Sequence, residues 1–261
     1  MKKNMNMLQG LAIFSVSIIF LLFVATHIQT RFGLLGLGIT EIGLLVIALI
    51  GCLFLKSGWK ETFPLKMVQF KAFIGSVFIF ISVFCFSIGL SETLLYVFPD
   101  MSEKNKILTD FFSEGGLVLF LTSSLLPGIC EETLFRGTIQ TTLRRTKNTV
   151  VVVIIMGILF GLFHLDIYRF LPTMVLGMGF TYIMDKTRNL LYPIFFHALN
   201  NLVGILPVLL RKPMVITTEL SMNTIKLIGT LFVCFSVGLL FLCLGIRRMN
   251  DKNTAMSVDN C

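Results

Sequence analysis

The sequence has few charged residues. Only 14% of its 261 residues are Asp, Glu, Lys or Arg, whereas 55% are hydrophobic. Soluble domains carry about 25% charged residues, so this composition excludes an ordinary soluble globular protein. The sequence therefore predicts an integral membrane protein, and we expect residues 1–261 to form one integral membrane domain.

Other absences exclude further classes of protein. No His-Glu-x-x-His motif is present, and neither a disulfide framework nor a zinc-binding spacing is visible. The reason is that five of the six cysteines lie inside apolar stretches: Cys52, Cys85, Cys130, Cys234 and Cys243. The net charge of +8 could suggest a nucleic-acid partner. However, the basic residues form short clusters between apolar stretches, so we predict no nucleic-acid partner.

Eight apolar stretches are long enough to cross a membrane, for which about 20 residues are needed. The fold class predicted is all-α, a polytopic protein of about eight transmembrane helices. The first stretch has no small-x-small cleavage site after it, so we expect it to be a retained helix rather than a signal peptide. The predicted spans lie near 8–26, 34–55, 68–90, 116–143, 149–165, 168–184, 190–210 and 225–246.

The distribution of Lys and Arg predicts the orientation in the membrane. These residues are more numerous at both chain ends and in every second loop than in the remaining loops, which by the positive-inside rule places both termini in the cytoplasm. We expect a multi-pass protein of a cell membrane, in contact with membrane lipid. The richness in phenylalanine and methionine suggests a bacterial plasma membrane. The sequence leaves the oligomeric state open.

Three ionisable residues interrupt the fourth span: Glu131, Glu132 and Arg136. Each charged group at bilayer depth costs about 2.5–3.5 kcal/mol, so a functional site is the default hypothesis. Pro127 precedes them closely, and a proline inside a helix removes a backbone hydrogen bond. We therefore predict a kink or the start of a half-helix at Pro127.

Helical spacing divides these residues into two roles. Residues four apart share a helix face, so Glu132 is expected to form a buried ion pair with Arg136, whereas Glu131 points elsewhere and stays free for chemistry. His197 and Asn201 are likewise four apart and could donate hydrogen bonds to one oxyanion. His164 lies on another span. An imidazole and a carboxylate that converge from two helices could hold and deprotonate a water.

Three short motifs follow one another along the chain. They are EExxxR from Glu131 to Arg136, FxxxH from Phe160 to His164, and HxxxN from His197 to Asn201. In these residues, and in the stretch Thr187–Ile194, the chain resembles the CAAX protease and bacteriocin-processing family, also called the Abi family. The resemblance covers residues 115–205, which would form a catalytic core.

The resemblance implies an intramembrane endopeptidase that acts on a membrane-associated or lipid-modified peptide or protein. Glu131 would be the general base and His164 its partner on the water. His197 and Asn201 would stabilise the tetrahedral oxyanion, while the predicted ion pair shapes the site.

A zinc cofactor is the alternative chemistry. The family is often labelled a metalloprotease, and Glu131, His164 and His197 could in principle ligate zinc. Because the zinc motif is absent and His197 with Asn201 is explained equally well without metal, we favour a metal-independent mechanism with no cofactor.

Two other functions stay open. The first is a non-catalytic role on the same fold, as a bacteriocin immunity factor or membrane scaffold. The second is a proton-coupled transporter that uses the buried carboxylates as a relay. A transporter would more naturally show repeated halves, and no internal repeat is visible.

Depth is a difficulty for any joint site. Counted at about 1.5 Å per residue from the cytoplasmic helix ends, His197 would lie ~10 Å deep, Glu131 ~20 Å and His164 ~23 Å. Tilt, a fourth helix that extends beyond the membrane, or a break at Pro127 must close this gap. We expect the site to open towards the cytoplasm through a water-filled cavity.

Overall fold

The structure is a computed structural model, and it describes residues 7–54, 58–98, 115–144, 148–210 and 224–250. Within these ranges the chain contains helices and no strand, which confirms the predicted all-α class. We number the helices in chain order: α1 (Met7–Phe20), α2 (Thr26–Phe54), α3 (Trp59–Thr62), α4 (Phe70–Val97), α5 (Gly116–Arg144), α6 (Thr149–Phe163), α7 (Ile167–Thr187), α8 (Leu191–Leu209) and α9 (Thr224–Asn250).

Every predicted span has a helical counterpart, so the protein is a polytopic membrane protein. Five helical stretches are long and apolar enough to cross a bilayer: Met7–Phe54, α4, α5, α8 and Lys226–Asn250. Helix α6 is apolar but has only 15 residues. The chain ends, residues 1–6 and 251–261, lie outside the described residues, and their cytoplasmic location stays a prediction.

The stretch Met7–Phe54 is a hairpin of two antiparallel arms. A π-helical turn, Leu21–Ala25, joins α1 to α2, and the chain reverses at Gly33, whose φ of 54° and ψ of −129° are not helical. Glycine tolerates this left-handed region because it has no Cβ. The arms meet where Nε2 of Gln29 donates to Oγ1 of Thr40 at 3.2 Å. One continuous apolar stretch therefore supplies two of the predicted spans.

The second arm of the hairpin packs in parallel against α5. Near its beginning, Gly38 lies against the side chains of Thr122 and Leu126. Ten residues further on, the carbonyl of Ala48 accepts a hydrogen bond from Oγ1 of Thr138 at 3.0 Å. In both contacts the residue number on α5 exceeds that on the hairpin arm by nearly the same amount, so the two helices run in the same direction.

Helix α5 lies between two clusters of buried apolar side chains. One cluster joins the hairpin, α5 and α6 and contains Phe135 and Phe160. The other joins α4, α7, α8 and α9 and contains Phe180 and Phe196. The polar residues of α5 are buried where these clusters meet.

Pro127 does not break α5, so the predicted start of a half-helix is wrong, while the predicted kink stays a prediction. The residues before it, Leu125 and Leu126, both have right-handed helical dihedral angles. A π-helical turn, Leu121–Leu125, directly precedes the proline. The wider turn absorbs the missing backbone donor, so the helix continues. A second π-helical stretch, Thr133–Ile139, follows Glu132.

An extended segment anchors the start of α8. Between α3 and α4, the carbonyl of Pro64 accepts from the backbone N–H of Leu190 at 2.8 Å, and the carbonyl of Lys66 accepts from Nδ2 of Asn189 at 2.9 Å. Oη of Tyr192 accepts from the backbone N–H of Gln69 at 2.8 Å. These bonds fix the first turn of α8, the helix that carries His197.

Candidate active site

Arg136 is fully buried at the centre of the bundle. Its Nη1 donates to Oε1 of Glu132 at 2.8 Å, and neither side chain is exposed (0% each). Its Nη2 donates to the carbonyl of Gly177 on α7 at 3.0 Å. The spacing-based expectation of a buried pair matches this geometry. Breaking such a pair leaves an uncompensated buried charge, which costs about 3–5 kcal/mol.

Three phenyl rings surround the Arg136 guanidinium. Its central carbon lies 4.5 Å from the ring centroid of Phe160, 5.4 Å from that of Phe180 and 5.7 Å from that of Phe135. Aromatic faces attract cations, more strongly when water is excluded. The cation therefore ties together α5, α6 and α7.

His197 binds the same carboxylate oxygen as Arg136. Its Nδ1 donates to Oε1 of Glu132 at 2.7 Å, and the ring is only 4% exposed. The ring stacks on Phe180 at 5.5 Å and meets Phe160 edge-on at 5.6 Å. Glu132 thus orients His197 as well as pairing with Arg136, a link between residues 65 positions apart that spacing alone does not predict. Nε2 of His197 remains for the site.

Glu131 is buried without such partners. Its side chain is 8% exposed, and its Oε2 is buried with no hydrogen-bond partner among the described residues. It interacts electrostatically with His197, Arg136 and Arg169. Arg169 lies on the exposed start of α7. Glu131 is therefore the carboxylate of the pair that is free to bind a water or substrate.

His164 ends α6 and is half-exposed. Its Nδ1 donates to the carbonyl of Phe160, one turn earlier, at 2.9 Å. This bond leaves Nε2 as an acceptor. The His164 ring also packs edge-on against Phe160, with centroids 5.1 Å apart, so both histidines touch the same phenyl ring. Glu131 and His164 are not hydrogen-bonded to each other in these described segments.

Asn201 lies one turn beyond His197 on α8 and is half-buried. Its Oδ1 accepts from Nδ2 of Asn200 at 3.1 Å. That contact turns the amide so that Nδ2 of Asn201 is available as a donor. Each of the predicted site residues thus lies at the junction of α5, α6 and α8, or within one turn of it.

The described residues do not form a metal site. Among them no group of three His, Cys, Asp or Glu side chains is placed to hold a metal ion. Oε1 of Glu132 holds Nδ1 of His197, and the carbonyl of Phe160 holds Nδ1 of His164. These bonds leave Nε2 of both histidines free, and histidine ligands of a metal make the same bonds at Nδ1, so the mechanism without a metal stays a prediction.

Sequence reasoning missed Glu41. This residue lies on the second hairpin arm, its Oε2 is buried without a hydrogen-bond partner in the described ranges, and it interacts electrostatically with Glu131. The signal was present in the sequence, because Glu41 is an ionisable residue inside the predicted span 34–55. No charged residue lies near Glu41 in the sequence, so it belongs to no recognisable motif.

Glycines bring the helices of the site into close contact. A Cβ on Gly128 would lie 2.9 Å from Cβ of Ala198 and 3.0 Å from its backbone nitrogen. A Cβ on Gly177 would lie 2.8 Å from Cβ of Phe160. Real Cβ atoms do not approach so closely, so both positions need glycine. The first allows α5 to reach α8 and thereby brings Glu132 to His197.

The comparisons with known proteins agree with this site. Residues 113–203 match the family described as Type II CAAX prenyl endopeptidase Rce1-like. That segment contains Glu131, Arg136, His164, His197 and Asn201. The family match and the three motifs thus fall on the same segment, and both support the resemblance to the CAAX protease and bacteriocin-processing family.

A curated protein of similar sequence comes from Bacillus subtilis (strain 168) and is named "Putative membrane peptidase YdiL". The two sequences are 27% identical over 148 residues, which cover 56% of this chain and 58% of that protein. The match thus spans little more than half the length of the relative. No solved structure matches.

Proposed function

We propose that the protein is an intramembrane endopeptidase that hydrolyses a peptide bond in a membrane-associated or lipid-modified substrate. The observation that carries this proposal is the unequal environment of two adjacent carboxylates. Each has an Oε2 that is buried without a partner among the described residues, but Oε1 of Glu132 accepts hydrogen bonds from Arg136 and His197, whereas no described residue donates to Glu131. An enzyme assigns acid–base work to a group whose surroundings differ from those of its neighbour.

In the first step, a water attacks the scissile carbonyl. Glu131 takes one proton from the water, and the oxygen bonds to the carbonyl carbon, whose own oxygen becomes an oxyanion. Nε2 of His164 accepts a hydrogen bond from the water and orients it, since Nδ1 of the same ring is held by Phe160. In the second step the carbon–nitrogen bond breaks, and the nitrogen takes up a proton and leaves as an amine.

His197 and Asn201 are the proposed oxyanion donors. Because Nδ1 of His197 already donates to Glu132, Nε2 donates only when the ring carries a second proton. The buried carboxylate of Glu132 stabilises that imidazolium, and Nδ2 of Asn201 adds a neutral donor one turn away. No step requires a metal ion.

The surroundings of the site support the proposed substrate class. The site lies within a bundle of apolar helices, so a substrate reaches it from the membrane plane or from the membrane surface. Precursors of peptide pheromones, bacteriocin precursors and membrane-anchored proteins all have suitable chemistry. We place the protein in the plasma membrane with both termini in the cytoplasm. Single-cysteine variants, Glu131→Cys and His197→Cys, test this orientation. If a thiol reagent labels both only from outside the cell, the orientation is wrong.

A comparison of the peptides released by cells tests the function. Cells that express the wild-type protein are compared with cells that express Glu131→Ala or His164→Ala at equal membrane levels. We expect at least one peptide to disappear in both variants, because loss of an acid–base group lowers a rate by about 10² to 10⁴. Glu92→Ala, a half-buried carboxylate change on α4, is the matched control. If Glu131→Ala releases the same peptides as the wild type, the protease assignment fails, and an immunity, scaffold or transport role takes its place.

A further inference from the structure

Glu41 lies level with Glu131 across the contact between the hairpin and α5. The hydrogen bond from Thr138 to the carbonyl of Ala48 fixes the offset between these parallel helices at 90 residues. The same offset pairs residue 41 with residue 131. The contact of Gly38 with Leu126 flanks this level on the other side.

The Glu41 side chain also points towards α5. Residues seven apart in an α-helix differ in direction by only about 20°, so Glu41 points nearly the same way as Ala48, towards α5. Its Oε2 is buried although the residue as a whole is half-exposed. The carboxyl end is therefore turned into the protein, and the thiol of Cys130 lies within electrostatic reach of both carboxyl groups.

The charged groups around Glu41 and Glu131 determine how many protons the two carboxyl groups hold. Glu131 is more than nine-tenths buried, and the buried cation of the site, Arg136, is already held by Glu132. Arg169, which also interacts with Glu131, is exposed. Two neighbouring buried carboxyl groups cannot both be ionised without a large repulsion, and such pairs keep one proton between them.

We propose that Glu41 is a second acid–base residue of the site, which forms with Glu131 a carboxyl pair that shares one proton. The role in catalysis rests on the proposed function, whereas the shared proton does not. Glu41 lies outside the segment that matches the family, 113–203, so the pair joins the N-terminal hairpin to the family core.

The proton transfers balance over one cycle. Before attack, Glu41 is protonated and Glu131 is ionised. Glu131 takes a proton from the water as the oxygen bonds to the carbonyl carbon. When the carbon–nitrogen bond breaks, Glu41 gives its proton to the departing nitrogen. The proton on Glu131 then passes to Glu41, and the products are one carboxylic acid and one amine.

The first test needs no substrate. Infrared spectra of the purified full-length protein in detergent at neutral pH report the carbonyl stretch of protonated carboxyl groups. In the difference between wild type and Glu41→Gln, we expect the loss of one such band, because the single negative charge that the pair shares then stays on Glu131. Glu92→Gln, the same change on α4, should lose none. An unchanged band in Glu41→Gln would overturn the shared proton.

The second test measures catalysis on the peptide precursor identified by the comparison of released peptides, synthesised with a fluorophore and a quencher. We expect Glu41→Gln to lower kcat by about 10² or more with KM unchanged, and Glu41→Asp to restore part of kcat. A loss in KM alone, or no rescue by Glu41→Asp, would refute an acid–base role. If Glu41→Gln does not accumulate in the membrane, Glu41→Asp takes its place. We then expect Glu41→Asp to shift the infrared band and to lower kcat. A wild-type band together with a wild-type kcat would overturn the proposal.

The two proposals can fail separately. If the wild type and Glu131→Ala release the same peptides, the protease function is wrong, yet the infrared spectra still decide whether the carboxyl pair exists. If Glu131→Ala is inactive while Glu41→Gln cleaves at the wild-type rate, only the role of Glu41 is wrong.

Discussion

His197 and Arg136 donate to one oxygen of Glu132, at 2.7 Å and 2.8 Å. This shared acceptor makes Glu132 the support of the site rather than its reacting group. The two adjacent glutamates should therefore respond in opposite ways to the same chemical change.

Glu132→Gln should destabilise the protein, whereas Glu131→Gln should leave its stability unchanged or raise it. The first change strands Arg136 as a buried charge, at a cost of about 3–5 kcal/mol. The second removes a buried carboxylate whose Oε2 has no hydrogen bond to the described residues. Thermal unfolding in detergent measures both. Equal losses in the midpoint temperature would contradict the division between the two carboxylates.

Gly128→Val should separate α5 from α8. The new side chain would meet the backbone of Ala198, which cannot move aside as a flexible side chain could, and overpacking costs about 1–3 kcal/mol. We expect a lower unfolding temperature and loss of cleavage. Gly204→Ala on α8 is the matched control, since a Cβ added at Gly204 would meet no described atom within 4 Å, and it should be neutral. A neutral Gly128→Val would rule out close approach as the reason for this glycine.

Asn189→Ala should loosen the start of α8. The substitution removes the hydrogen bond from Nδ2 to the Lys66 carbonyl and leaves that carbonyl unpaired, which costs about 1–3 kcal/mol. Lys66→Ala keeps the backbone groups that Asn189 binds, so it serves as the control. Limited proteolysis should cut residues 63–69 faster in Asn189→Ala only. Equal cleavage of the two variants would show that the hydrogen bonds of Asn189 do not hold residues 63–69 in place.

Chelators should leave cleavage unchanged. The proposed mechanism uses no metal, and no group of three His, Cys, Asp or Glu side chains in the described segments is placed to hold one. The purified protein is dialysed against EDTA and phenanthroline, its metal content is measured, and its activity is compared with that of an untreated sample. Loss of activity that returns with added zinc would establish a metalloprotease.

Much of the fold could be predicted from the sequence because lipid imposes long apolar stretches. The pair formed by Glu132 and Arg136 also follows from helical spacing, since its partners share one helix. The bond from Glu132 to His197 could not be predicted, because it depends on how closely α5 approaches α8 at Gly128. Glu41 was missed for a similar reason, since only the packing of the hairpin against α5 places it at the site.

The register of α5 against α8 brings Glu131 to the level of His197. Gly128 lies level with Ala198, so the last turns of α5, Thr133–Arg144, extend beyond the start of α8. Of the three possibilities, a break at Pro127 does not apply, whereas tilt and a helix that extends beyond the membrane stay predictions. The prediction failed at Pro127 because a π-helical turn is a response of the backbone that composition does not reveal.

The ring of Phe160 touches Arg136, His164 and His197. Groups that share a contact do not lose energy independently when they are changed, and their effects on stability or rate fail to add. Double-mutant cycles between His164 and His197 should therefore give a coupling energy even though no bond joins the two imidazoles, and Phe160→Leu should reduce it. The phenylalanine of the FxxxH motif thus packs against both histidines, the residues that we propose bind the water and the oxyanion.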